Sequence, residues 1–227
     1  MWQNGLASSL TIQVILMRKL RFSLLVLLAI GAAYAARAEG SGGSPDAAKA
    51  LAVQPEDRIL GKPDAPITII EYSSLTCPHC AKFAVNVLPK LKEKWVETGK
   101  AKLIMRDYPL DERAMRAAMV TRCAPPERYY PFAEMFFAQA EQWVRASDYR
   151  AVLEKLAKLG GMGNNQFAAC ISDKKLEDQI AQSRLTASQQ LGVNATPAFF
   201  INGENFTGEP TLDAIDQILS RSAAKSQ

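Results

Sequence analysis

The chain has 227 residues, 48% of them hydrophobic and 22% charged, with 13 Gly and 12 Pro. That excludes a disordered or collagen-like polymer and suits one domain or one elaborated domain. The formal charge of +4 is uneven: four of the 27 basic residues and none of the 23 acidic ones lie in residues 1–38, so the remainder is formally neutral, with no basic excess to attract nucleic acid.

After Met17, which suits a translation start better than Met1, the chain reads RKLRFSLLVLLAIGAAYAARA. A basic cluster, an apolar run too short to span a bilayer and a small-residue end at Ala36-Arg37-Ala38 predict a secretory signal peptide over residues 1–38. A retained anchor is the alternative. Residues 39–58 begin EGSGGSP and are expected to form a flexible lead-in, with a short helix or loose chain over 46–58. The β-branched run Pro66–Tyr72 predicts a buried strand. Residues 78–98 predict a helix from Phe83, Val87, Leu88, Leu91 and Trp95, kinked at Pro89 and stopped by Gly99. Residues 101–106 predict a second strand, parallel to the first in a βαβ unit.

Residues 111–191 contain no convincing strand and break at Pro125-Pro126, near Ser147 and at Gly160–Gly163, which predicts four or five helices. Ser147 is the expected N-cap, and Gly160 the expected stop, of the helix between them. The group Tyr129, Tyr130, Phe132, Phe136, Phe137 and Trp143 has helical spacing, which favours core packing over a substrate groove. A strand over Ala198–Ile201, an Asn202-Gly203 hairpin turn into Glu204–Thr207 and a helix over 211–222 complete the chain.

The single histidine, His79, excludes two-histidine metal sites, and it lies inside Cys77-Pro78-His79-Cys80. This motif follows a strand and opens a helix. Cys77 falls at the N-cap, where free backbone N–H groups and the helix dipole favour a thiolate, and Pro78 at N1 has no N–H to lose. Cys80 is one turn on, close enough for a small disulfide ring. A lowered Cys77 pKa makes it a more reactive thiolate and a better leaving group, and a charged His79 would add to the positive field. Half of a zinc site and a purely structural bridge are the alternatives. Zinc is disfavoured because the other cysteines, Cys123 and Cys170, are 47 positions apart.

Gly61–Phe83 (GKPDAPITIIEYSSLTCPHCAKF) together with Ala195–Gly203 (ATPAFFING) resembles the DsbA-type thiol:disulfide oxidoreductases of the thioredoxin superfamily. The resemblance spans about residues 55–222. It implies an α/β thioredoxin fold over 59–110 and 192–227, with an all-helical domain, 111–191, inserted between its βαβ and ββα halves. It implies that Cys77 is the surface nucleophile, Cys80 the buried resolving thiol, and Pro197, preceded by Thr196, a cis-proline facing the site. The Thr196 backbone would then be free to pair with an extended client.

Glu71 resembles the buried acid beneath the active site, able to relay the Cys80 proton, with a solvent-facing edge glutamate as the alternative. Tyr72, Ser73 and Thr76 are unranked candidates for tuning. Some family members carry a second bridge in the helical domain, and Cys123 and Cys170 resemble it; such a bridge would contribute about 4 kcal/mol. Free thiols or a redox-modulating pair remain open. The function implied is a periplasmic, monomeric dithiol oxidase needing neither cofactor nor metal, acting on reduced or unfolded exported proteins and reoxidised by a DsbB-type membrane partner. A reductase or isomerase, a copper-tolerance thiol protein of the same fold and a non-catalytic client-binding module are the alternatives.

Overall fold

A computed structural model describes residues 44–225; the expected signal peptide lies outside these. Five strands form one sheet in the order β1-β3-β2-β4-β5. These are β1 (Ile59–Leu60), β2 (Ile67–Ser73), β3 (Ala101–Asp107), β4 (Ala198–Ile201) and β5 (Glu204–Phe206). Strand β2 is central. It runs parallel to β3, with Ile67 opposite Ala101 and Ser73 opposite Asp107, and antiparallel to β4, with Glu71 opposite Phe199. Its three isoleucines are buried on both faces, as a central strand requires, and Thr68 is half-buried. Asn202 and Gly203 turn β4 into β5 with φ of 49° and 84°, the two positive values that an Asn-Gly hairpin turn demands. All five strands fall within residues 59–110 and 192–227, and the helices between 112 and 191 form the segment between those halves.

Alternation along β2 assigns its two faces. Ile67 and Ile69 enter a large core with Cys80, Phe83, Leu91, Trp95, Phe136 and Trp143, whereas Ile70 and Tyr72 enter a smaller one with Ile104, Tyr108, Ala187 and Phe200. Glu71 and Ser73 share the parity of Ile69 and so turn toward the large core, where the cysteine helix packs.

The expected helix over 78–98 is three pieces: α2 (Pro78–Asn86), α3 (Leu88–Leu91) and a π-turn (Lys92–Val96). Val87 breaks from helical geometry, with φ −110°. Pro89 has no N–H to give the Val85 carbonyl and its ring clashes there, so the axis bends one turn before it. The lead-in from Ser44 onward is also not loose. Residues Pro45–Leu51 form α1, capped by Ser44, and the segment after it is tied to Arg106, described below.

In the insertion, α4 (Glu112–Cys123), α5 (Tyr129–Ala138), α6 (Ala140–Trp143), α7 (Tyr149–Leu159), α8 (Asn164–Ile171) and α9 (Lys174–Leu191) pack around the six aromatic residues named above, all of them buried. Asp148, rather than Ser147, caps α7: its carboxylate accepts from Ala151 N at 3.0 Å. The left-handed residue that ends α7 is Gly161 (φ 88°), one position beyond Gly160. Gly160 instead gives room to Phe132, whose Cζ would lie 2.2 Å from a Cβ there. Cys123 and Cys170 form a disulfide that ties α4 to α8. The last helix, α10, covers Leu212–Lys225. No helix among the described residues is long and apolar enough to cross a membrane.

Candidate active site

Strand β2 ends at Ser73, the chain turns through Ser74–Thr76, and Cys77 caps α2. The turn is pinned from the insertion: Thr76 Oγ1 donates to Asp111 Oδ2 at 2.8 Å, while Asp111 Oδ1 accepts from Ala114 N at 2.8 Å as the cap of α4. Pro78 occupies N1 of α2, so the first free N–H groups belong to His79 and Cys80, and both favour the Cys77 thiolate.

Cys77 and Cys80 are free thiols in this structure. Cys77 is the more accessible of the two, yet at 5% exposure it is not the surface nucleophile expected. The loop before β4 covers it. The Thr196–Pro197 peptide in that loop is cis, and the Thr196 carbonyl, rather than standing free, accepts from the Cys77 thiol at 3.3 Å.

The two thiols are driven in opposite directions. The Cys77 pKa falls from 9.0 to about 5, chiefly because the Cys80 thiol donates to its thiolate; the Thr196 hydroxyl and the N–H groups of Cys80 and His79 add to this, against the cost of burial. Burial pushes the Cys80 thiol far up, as do its donation to Cys77 and the charges of Glu71 and Cys77. The first proton to leave is therefore that of Cys77, which gives up its hydrogen bond to the Thr196 carbonyl as it ionises, and the proton the pair keeps resides on Cys80. The His79 imidazole is not among the groups that hold Cys77 down. It is exposed on the side of α2 that carries Lys82, whose ammonium lies 2.9 Å from the Glu209 carboxylate and holds it below its ordinary range. The tuning expected of His79 thus comes from its backbone.

Glu71 is 2% exposed, which excludes an edge residue facing solvent. Burial raises its pKa from 4.5 to about 7; the Ser73 hydroxyl opposes that rise and the Cys77 charge adds to it. Neither Glu71 Oε1 nor Ser73 Oγ finds a hydrogen-bond partner of ordinary geometry.

The opposite face of the sheet holds a charged network that the sequence reading did not single out. The Arg106 guanidinium, 6% exposed, donates from Nη2 to Asp57 Oδ2 at 2.7 Å, from Nε to Asp57 Oδ1 at 2.9 Å and to the carbonyls of Ala50 and Ala52. It also donates to Tyr72 Oη at 3.1 Å. Arg106 and Asp107, two adjacent charges at the end of a strand that otherwise reads as buried, were the available signal. Arg106 fastens α1 and residues 52–57 to β3. Arg122 does similar work on the neighbouring Asp107 at 2.6 Å and lies over the Tyr129 ring.

A thiolate nucleophile, a proton-holding partner thiol one turn away and a buried acid that titrates near neutrality define a thiol–disulfide exchange site. Comparison with known proteins agrees. The family model described as Thioredoxin matches residues 53–221. The crystal structure of Wolbachia pipientis alpha-DsbA1 superposes with a TM-score of 0.74 at 36% identity, covering 78% of this chain and 96% of that one. The chain belongs to the thioredoxin family and, within it, to the DsbA-like thiol:disulfide oxidoreductases. Relatives named as protein-disulfide oxidoreductases in Rickettsia typhi and Rickettsia bellii are 31% and 28% identical over 72% and 76% of this chain. The chain spans 62% and 68% of their respective lengths.

Proposed function

We propose that this chain is an exported dithiol oxidase that introduces disulfides into reduced periplasmic proteins. The observation that carries this reading is the opposed pair of thiols, Cys77 held down to about 5 and Cys80 pushed far up. Stabilising the Cys77 thiolate stabilises the reduced protein, which makes the Cys77–Cys80 disulfide the stronger oxidant.

In the forward reaction a client thiolate attacks Cys77 Sγ, the more accessible sulfur. A mixed disulfide forms and Cys80 leaves, taking a proton. A second client thiolate then attacks the client sulfur of that mixed disulfide. Cys77 leaves as a thiolate, which its low pKa favours. The client loses two electrons and gains a disulfide, and the Cys77–Cys80 pair gains them as the dithiol. Pro197 and the Thr196 main chain flank Cys77 where an extended client would lie. A DsbB-type membrane protein would reoxidise the pair, and the working unit would be the monomer. The basic-apolar-small pattern of residues 1–38 supports export. No step requires a cofactor or a metal.

The test is the Cys77–Cys80 potential in a glutathione buffer. A value near −120 mV, that of the strongly oxidising DsbA, supports the oxidase. A value near −270 mV, the thioredoxin range, would assign a reductase instead. Full activity in Cys77→Ser would reduce the chain to a client-binding module.

A further inference from the structure

Exchange at Cys77 leaves a proton to be delivered. Whenever Cys80 leaves a disulfide it must be protonated, because burial holds its thiol form so strongly. Glu71 is the buried acid on the same side of the sheet. Yet Glu71 acts on Cys80 only as a charge through space, not through a hydrogen bond. Something must bridge that gap.

Ser73 is placed to do so. It lies two residues beyond Glu71 on β2, so both side chains leave the same face of the strand, about 7 Å apart along it. It is also the last residue of β2, nearest the turn that delivers Cys77 and Cys80. Its backbone is committed to the sheet, with the carbonyl accepting from Tyr108 N at 2.8 Å, so the position is held firmly while the hydroxyl remains free to rotate. The residue is 3% exposed and its Oγ has no settled partner. Its side chain leaves β2 on the face that Glu71 shares and that packs into the core holding Ile69 and Cys80, and its hydroxyl favours the ionised form of Glu71 and of Cys80 alike. A buried hydroxyl without a fixed partner costs stability, so its presence between two titrating groups calls for a use.

We propose that the Ser73 hydroxyl is the relay that carries the proton between the Glu71 carboxyl and the Cys80 thiol. As Cys80 leaves its disulfide, its sulfur takes the Ser73 hydroxyl proton and Ser73 Oγ takes the carboxyl proton of Glu71. The carboxylate that results recovers a proton from solvent. In the reverse direction, when the thiol closes onto Cys77, the same two transfers run backward. The serine is unchanged at the end, so protons balance in each direction.

The other groups around Glu71 cannot substitute. Tyr129 and Tyr130, from α5, sense its charge, and burial pushes both phenols above their ordinary range. Arg122 and Asp107, beyond Tyr129, are paired with each other. Cys77 is held in a disulfide with the client when Cys80 leaves, so it has no proton to give. His79 and Glu209 lie on the outer side of α2.

The inference rests on the exchange reading above, and the experiment separates the two. Reduction of the oxidised full chain by reduced glutathione is followed from pH 5 to 9 by acid quenching, alkylation and intact mass, for wild type, C77S, S73A, S73T and S73V. Wild-type reduction that does not depend on Cys77 defeats the exchange reading itself. Given Cys77-dependent reduction, S73A is expected to be slowed tenfold or more near pH 7, a part of what general acid catalysis supplies, and to lose the inflection near pH 7. S73T should retain both. The Cys77 thiolate titration, read by ultraviolet absorbance, should stay in place in every Ser73 variant, because Ser73 does not act on Cys77. Thr and Val have the same shape, so the S73T to S73V comparison decides the matter even if S73A folds poorly. A wild-type rate and profile in S73A, or equal rates in S73T and S73V, would overturn the relay.

Discussion

Replacing Glu71 with Gln should change the pH dependence of stability in a direction and size that the structure dictates. The carboxyl is almost completely buried, and its pKa is raised from 4.5 to about 7. A group whose pKa is higher in the folded state binds more protons there than in the unfolded chain, so stability is lost as pH rises. The loss begins near pH 4.5 and is complete above pH 7. A difference of about 2.5 pH units corresponds to about 3 kcal/mol. Gln cannot ionise and escapes this loss. The stability of E71Q minus that of wild type should therefore increase by up to about 3 kcal/mol between pH 4 and pH 8. Any constant offset from exchanging carboxyl for amide cancels in that difference.

The assay is urea denaturation of the oxidised proteins across this range. With Cys77 and Cys80 joined, neither thiol titrates, which removes a contribution of opposite sign from Cys77. It also removes the small upward push of the Cys77 charge on Glu71, so the measured change should be somewhat smaller. A difference that stays within about 1 kcal/mol from pH 4 to pH 8 would show that the carboxyl is hydrated or titrates as on the surface, and the assignment of Glu71 as the buried acid would fail.

Other expectations are as direct. C80A removes the donor that does most to hold the Cys77 thiolate down; its midpoint, read by ultraviolet absorbance, should rise from about 5 by a unit or more, and an unmoved midpoint would refute that cause. D57A strands the buried Arg106 charge and should cost about 3–5 kcal/mol in chemical denaturation; a loss below 1 kcal/mol would mean that Arg106 finds water. The double variant C123A/C170A opens a bridge between residues 47 apart and should lose about 4 kcal/mol on the chain-entropy account, read as a fall in Tm, whereas an unchanged Tm would mean that the unfolded chain is already compact.

Much of this site was legible in the sequence because its parts are local. The motif Cys77–Cys80 states its own chemistry: a strand, a proline at N1 and a helix start aim N–H groups at one sulfur, and this needs no distant residue. The Asn202-Gly203 turn and the Pro89 break were legible for the same reason, since backbone sterics act within a few positions. Element ends were less secure. Ser147 and Asp148 are both competent caps, and only the packing of α7 selects between them.

Tertiary structure decided what depends on partners far along the chain. Cys77 reads as exposed until the loop carrying Thr196, 119 residues away, is laid over it. Residues 46–58 read as either a short helix or loose chain until Arg106 takes the Ala50 and Ala52 carbonyls and Asp57. Glu71 and Ser73 are two polar residues in a strand until the helices of the insertion close over that face and remove water from both. The physical reason is common to all three. Burial is a property of the assembled fold, and it is burial that turns Glu71 into an acid near neutrality and Cys80 into the keeper of the shared proton. The sequence alone determined which sulfur atoms stand where a strand gives way to a helix, and the fold decided how burial and neighbouring groups divide the protons between them.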